Sequence, residues 1–401
     1  MVTTFYPPDH FGGDALCVYR LTEELARRGH EVEVICSADA YAALGGRGQG
    51  GGYPHDPKVT VHRLRSRLPV LSSLLTHQTG APAFGREIRS ILDAKKFDVI
   101  HYHNISLIGI EALGYGTAVK LYTLHEHWLV CPMHVLWKFD REVCTEKNCL
   151  PCTLAGKRPP QLWRYTGLLR RSLRQIDRFI APSRFVMERH RADGLDLPMT
   201  HLPHFLPRPD AAARPVKHAR PYFLFAGRLE KIKGLQQVIP LFGGRPAYDL
   251  LIAGAGGYER ELREVSAGSA NVHFLGRLTP EELTGLYRGA IAVVIPSVCY
   301  EVFGMTSIEA FAVGTPVIVN NLGALPEVVE ASGGGIIYNS PAEMGAAIDR
   351  LGADRGLRDE LGRRGREAYL KYWTAERHLE QYFELIAGLR HGRSNPDLPL
   401  D

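Results

Sequence analysis

"VTTFYPPDHFGGDALCVYRLTEELARRGHEVEVICS", Val2 to Ser37, is the stretch that decides the fold. Val2–Tyr6 is rich in β-branched and aromatic residues and reads as a strand. Pro7 and Pro8 end it, and Gly12-Gly13 opens a tight turn. Leu16, Tyr19, Leu21, Leu25 and Ala26 follow near helical spacing, with Gly29 placed to cap that helix. "EVEVIC" is then a second strand. Strand, helix and strand make a βαβ unit, which predicts a parallel sheet. The first strand is short for a buried central one, so the natural start is expected a few residues upstream.

Further along, "FDVIHYHN" and "AVKLYTLHEH" read as strands, each ending in histidines, and strand carboxyl ends are where ligands collect in a doubly wound sheet. "GGRGQGGGY", Gly45–Tyr53, holds too much glycine for regular structure and reads as a loop. "PHFLPRPDAAARPVKHARP", residues 203–221, carries five prolines and little periodicity, as a linker does. The α/β pattern then restarts with "YFLFAGRL", "YDLLIAGAG", "VHFLGRL", "IAVVIPS", "TPVIVNN" and "GGGIIY". The expected boundaries are 1–205 for a first domain, 206–220 for a linker, 221–375 for a second domain and 376–401 for a helix and tail packing back on the first. A chain of 401 residues, 45% hydrophobic and 23% charged, suits two globular domains of ordinary size. No signal peptide and no apolar run of spanning length is present, so the expected location is cytoplasmic. The net charge of +5 is uneven. Residues 1–200 hold 26 Lys+Arg against 20 Asp+Glu, whereas residues 201–401 hold 22 against 23. The first half is the one suited to an anionic partner, unless the small excess is chance.

"YEVFGMTSIEAFAVGTPVIV", Tyr300–Val319, places Glu301 and Glu309 on either side of a Phe-Gly turn. "TSIE" has the form of a capping box, with Thr306 as N-cap and Glu309 reaching back. That reading leaves Glu301 unexplained. A helix N-terminus offers unpaired amides to an anion, and a nearby carboxylate can accept hydrogen bonds from sugar hydroxyls. A nucleotide-diphosphate sugar, anionic in its middle and hydroxylated at both ends, fits such a place.

These residues resemble the Glu-x7-Glu signature of family 4, the retaining glycosyltransferases of GT-B fold. "GRLEKIKG" (Gly227–Gly234) is similar to that family's Gly-Arg-Leu…Lys-Gly segment, "YPPDHFGG" to its N-terminal glycine loop and "TLHEH" to its Thr-x-His strand end. "LGALPEVV" is similar to the segment that follows its Gly-x-Pro-Val strand. The resemblance implies an α/β GT-B architecture, two Rossmann-like doubly wound parallel-sheet domains facing a central cleft. It further implies that Arg228 and Lys233 grip the diphosphate, where departure of the leaving group builds negative charge. Ordinary surface pairing with Glu230 is the competing reading for these two cations. Gly12 and Gly13 would let backbone approach phosphate. Glu309 would bind ribose, and Glu301 with the amides of Phe303, Gly304 and Met305 would hold the donor sugar. His125 would hydrogen-bond that sugar, with His103 and His127 as rivals on the same rim.

The family resemblance also implies front-face substitution, with a donor phosphate oxygen taking the acceptor's proton, so no general base is named and no carboxylate pair of glycosidase type is required. The chain contains no Asp-x-Asp, which argues against the metal-dependent alternative fold, and no catalytic metal is expected. The expected partners are the nucleotide sugar and a hydroxyl acceptor, saccharide, lipid-linked or natural product, and not nucleic acid. The alternatives are a GT-B epimerase, a sugar phosphorylase, or a non-catalytic sugar-nucleotide-binding protein. A plain dinucleotide-binding enzyme is disfavoured, because no Gly-x-Gly-x-x-Gly follows a strand with a suitable acidic residue downstream.

Two further features stand out. Cys131, Cys144, Cys149 and Cys152 form C-x12-C-x4-C-x2-C, a pattern suited to structural zinc in a loop beside the acceptor. Inert reduced thiols or a redox-labile Cys149–Cys152 pair are the alternatives. Between Lys157 and Arg178 stand seven basic residues and one acidic one. Leu162, Tyr165, Leu169, Leu173 and Ile176 recur there at helical intervals, predicting a solvated amphipathic helix or a surface for anionic membrane or a lipid-diphosphate acceptor.

Overall fold

The computed structural model describes residues 1–46, 52–210 and 214–394, without the side chains of 392–394. Most of the expected glycine loop, residues 47–51, lies outside the described residues.

Parallel strands buried on both faces read as continuous apolar runs, and the second half is built of these. Its six strands lie in the order Val272–Gly276, Asp249–Ala253, Tyr222–Ala226, Val293–Ile295, Val317–Asn320 and Gly335–Tyr338, all parallel. In chain order this is 3-2-1-4-5-6, the doubly wound arrangement whose direction of winding reverses between the first and fourth strands. Helices cover both faces, giving two cores: Leu224, Val293, Ile308 and Phe311 on one side, Phe223, Ile239, Leu250 and Ile348 on the other.

The first half repeats the plan. Val32–Ser37 pairs with Val59–Leu64, and Val99–Tyr102, Val119–Thr123, Arg178–Ala181 and Met199–His201 follow one another, every pair parallel. The residues before Tyr6 join these two groups. Val2 bridges both Ile35 and Tyr102, and Thr3 and Thr4 donate to the carbonyls of Ile35 and Asn104. The strand expected over Val2–Tyr6 is therefore shorter than the sequence suggested. It leaves the sheet after Thr4, and Tyr6 instead exchanges backbone hydrogen bonds with Asp9 across the two prolines. The helix Gly13–Arg27 follows, and Gly29 sits just beyond it at φ +96°, where a left-handed residue ends a helix.

No helix or strand falls within the described part of residues 202–220. The last helix, Ala375–Ser394, buries Leu379, Tyr382 and Leu389 against Val18, Leu21 and Leu121 of the first half. The expected amphipathic helix through Leu162, Tyr165, Leu169, Leu173 and Ile176 is not continuous. A 3-10 turn at Leu162–Tyr165 and a helix at Leu168–Leu173 are separated by Gly167 at φ +76°, and Leu162 and Tyr165 point to solvent. Among the described residues no helix is long and apolar enough to cross a membrane.

Candidate active site

Ligands of doubly wound sheets bind beyond the strand carboxyl ends where the winding reverses. In the second half that place lies between the loops after Tyr222–Ala226 and Val293–Ile295. Gly234 brings them together. Its φ is +75°, and a Cβ there would strike the Pro296 carbonyl, so only glycine allows the approach. Val298 N–H donates to the Ile232 carbonyl at 2.9 Å and locks the two loops. The consequence is chemical: Lys233 Nζ donates to Glu301 Oε1 at 2.6 Å, and Ser297 Oγ donates to the same oxygen at 2.6 Å.

These side chains are only 22% and 20% exposed. Burial alone would push the Lys233 ammonium down, but the Glu301 charge and hydrogen bond, together with Cys299, outweigh it and hold it above its usual range. Burial likewise works against the Glu301 carboxylate, and Lys233, with help from Ser297 and Arg228, holds its pKa below the usual value. The pair therefore stays fully charged through neutral pH. Gly323, at φ +66° against the Glu301 backbone, and Ala324 N–H, donating to the Glu301 carbonyl at 3.1 Å, fix the carboxylate's loop. This gives the "LGALPEVV" segment its structural task.

Opposite stands the helix Gly13–Arg27. Gly12 is its N-cap and has no side chain to cap it. A Cβ on Gly12 would lie 3.8 Å from Arg228 Nε, and one on Gly13 would meet nothing within 4 Å. Arg228 thus faces the glycine turn across the cleft. Its guanidinium also donates to Glu230 at 2.7 Å, the surface pairing weighed from sequence, so it does not touch Glu301 directly. Asp14, Cys17 and Arg20 continue the same helix face, and Arg20 reaches Glu309 at 3.5 Å. Tyr287 OH donates to the other Glu309 oxygen at 2.9 Å. Sequence reasoning missed Arg20, Tyr287 and Ser297. The one legible signal was helical spacing, which puts Arg20 two turns beyond Gly13.

The capping box expected at "TSIE" does not form. Gly304, at φ +104°, is the N-cap of the helix Met305–Phe311, and no side chain caps it. Thr306 lies inside the first turn, leaving Glu309 free to take Arg20 and Tyr287. Phe303 is buried, and its ring meets His204 edge-on at 5.4 Å.

The histidines sort by depth. His125 is half-buried, hydrogen-bonded to His103 at 2.9 Å and stacked on His204 at 4.9 Å. His101, His103, His204 and His378 line a small cavity with it, alongside Cys17. Burial lowers His125 to about 4, against the nearby Asp14, so the imidazole is neutral at pH 7. His127 is fully buried beside His190 and Tyr300, away from this cavity.

Cys131, Cys144, Cys149 and Cys152 line one small cavity of their own, and Phe139 N–H donates to Cys152 Sγ at 3.4 Å. Among the described residues, the groups offering three ligand atoms within 4.8 Å of one another are Cys17–His125–His204 and His218–Asp249–His273. The four cysteines are gathered but not closed to ligand distance.

Two family models match the chain: "Glycosyltransferase Family 4" over residues 11–206 and "Glycosyl transferases group 1" over 209–368. An uncharacterized glycosyltransferase of Methanocaldococcus jannaschii is 28% identical over 399 residues, covering 93% of each chain. D-inositol 3-phosphate glycosyltransferase of Paenarthrobacter aurescens is 28% identical over 417 residues, covering 94% of each. Among solved structures, sucrose-phosphate synthase of Thermosynechococcus elongatus superposes with a TM-score of 0.76 at 21% identity, over 98% of both chains. HepE of Anabaena, solved with UDP and glucose, gives 0.68 at 16% identity, over 96% of this chain and 98% of that one. Fold and sequence together define a glycosyltransferase of GT-B architecture. The chain belongs to glycosyltransferase family 4, group 1.

Proposed function

We propose that this glycosyltransferase takes a sugar from a nucleoside-diphosphate donor and passes it to an acceptor hydroxyl with retention of configuration. The observation that carries the reading is the Lys233–Glu301 pair at the winding reversal, opposite the Gly12-Gly13 turn and beside Arg228. Gly12, Gly13, Arg228 and Lys233 hold the diphosphate, Glu309 the ribose, and Glu301 with the Phe303–Gly304–Met305 backbone the donor sugar. His125, neutral, hydrogen-bonds the sugar near the reacting carbon. The bond between anomeric carbon and phosphate oxygen breaks as the acceptor oxygen bonds to that carbon from the same face. The acceptor's proton passes to a phosphate oxygen of the departing nucleoside diphosphate. Fixed cations favour that transition state, because charge grows on the leaving group. The HepE complex with UDP and glucose supports the choice of donor class.

The domain boundaries at 205, 220 and 375 are proposed on the same footing. Structural zinc at Cys131, Cys144, Cys149 and Cys152 is also a proposal. The shared cavity supports it and the spread of the sulfurs opposes it. Metal analysis of protein purified without chelator decides, with zinc near one per chain expected and zinc near zero contradicting it.

The test of the main reading is incubation with a panel of nucleotide sugars and acceptors, followed by NMR of the product. A glycoside with the donor's anomeric configuration is expected. An inverted product would refute the front-face route, and tight nucleotide binding without any product would favour a sugar-nucleotide-binding protein.

A further inference from the structure

The helix Pro69–Thr79 is amphipathic the wrong way round. It buries Ser73 and Thr76, and the Ser73 hydroxyl is left without a partner. Toward solvent it presents Val70, Leu71, Leu74 and Leu75, which are 66%, 48%, 46% and 50% exposed, preceded by Leu68 at 62%. Positions 70, 71, 74 and 75 lie on one side of a helix, so these side chains form a continuous stripe. The turn Leu162–Tyr165 packs alongside, tied by Trp163 Nε1 donating to the His77 carbonyl at 2.9 Å. Leu162 and Tyr165 there are 63% and 66% exposed. A monomeric soluble protein rarely leaves so many neighbouring large apolar side chains in water.

The exposed charges that flank the stripe in sequence are of one sign, and Asp39, which accepts from Ser66 and Ser72 beneath the helix, is buried. Arg65 and Arg67 stand just before the helix, Lys157 and Arg158 just before the turn, and Arg170 and Arg171 on the helix Leu168–Leu173 after it. Not one Asp or Glu occurs from Arg65 to Arg86 or from Lys157 to Ile176. We propose that this face docks on an anionic lipid bilayer, its aliphatic stripe entering the headgroup boundary and its arginines and lysine meeting the lipid phosphates. The composition favours lipid over a protein partner. The stripe on the helix is wholly aliphatic and mostly leucine, in which protein hot spots are poor, whereas aliphatic residues rimmed by cations are what an interfacial helix presents.

The docking is read without substrate, so its failure leaves the transfer chemistry untouched. The full chain is floated with vesicles of phosphatidylcholine, with and without phosphatidylglycerol, at low and high salt. Flotation with the anionic vesicles at low salt, weakened by salt, is expected. Leu71→Gln/Leu74→Gln/Leu75→Gln, at exposed positions, is expected to keep the wild-type melting temperature and lose more than about tenfold in partitioning. Arg65→Gln/Arg67→Gln is expected to lose about fivefold per residue, and only with anionic vesicles. No flotation of the wild type at low salt overturns the proposal, as does a triple variant that floats like the wild type. A wild type that self-associates without floating, beside a monomeric triple variant, overturns it too and assigns the stripe to a second copy of the chain.

Discussion

Two glycines carry opposite burdens. Gly234 is demanded by the fold, since its left-handed backbone and its closeness to Pro296 exclude any side chain. Gly13 has open space before it, so the fold does not demand it, and its proposed task is to let the donor's phosphate approach the backbone. Gly234→Ala should therefore lower the melting temperature, by a destabilisation of about 1–3 kcal/mol. Gly13→Ala should leave melting nearly unchanged while raising the donor KM. Thermal melting and steady-state kinetics on both variants check this, and equal melting losses would contradict it. Tyr287→Phe removes one hydrogen bond to Glu309, worth about 1 kcal/mol, and should raise the donor KM roughly fivefold with kcat little changed. An unchanged KM would detach Glu309 from the donor. The acidic pair and the basic segment were legible because their spacing matched a known pattern. Arg20 and Tyr287 were not, because their partner, Glu309, is distant in sequence and met only through the tertiary fold.

Elements were legible where burial made them monotonous. "YFLFA" and "DLLIA" are buried at every position and could hardly be anything but inner strands. The capping box failed because a local spacing rule competes with tertiary packing, and Gly304 already turns the chain at that point. The helix Pro69–Thr79 escaped notice because leucines at helical spacing look alike whether they face a core or the outside. The histidines that line the small cavity also have a consequence for stability. His101, His103 and His204 are held well below their usual pKa by burial, and His378 is lowered to about 4. Between about pH 6.5 and 4 the unfolded chain binds protons that the folded one refuses, so stability falls as pH drops. The expected loss is about 1.4 kcal/mol per pH unit for each such histidine. Melting measured from neutral to acid pH should show a steep decline below about pH 6.5, and a flat profile would contradict the burial argument.

The two halves meet along the last helix and, across the cleft, through specific hydrogen bonds. Ser183 Oγ donates to the Val302 carbonyl at 2.7 Å, next to Glu301. Glu327 accepts from the backbone N–H groups of Arg184 and Phe185 at 3.0 and 3.2 Å, capping the first turn of the helix Arg184–Ala192 from across the cleft. Glu327→Ala should remove about 1 kcal/mol of this capping and shift small-angle scattering toward a more open particle. An unchanged scattering profile would show that the cap does not hold the halves together. Closure matters under the proposed reading, in which the diphosphate is shared between glycine amides on one side and Arg228 and Lys233 on the other. Calorimetric titration of nucleoside diphosphate into the wild type and Lys233→Gln tests that sharing most directly. The wild type should bind, and the variant should bind about 10- to 100-fold more weakly for want of one charge-assisted contact. Equal affinity in the two proteins would contradict the placement of the diphosphate between Lys233 and the glycine turn.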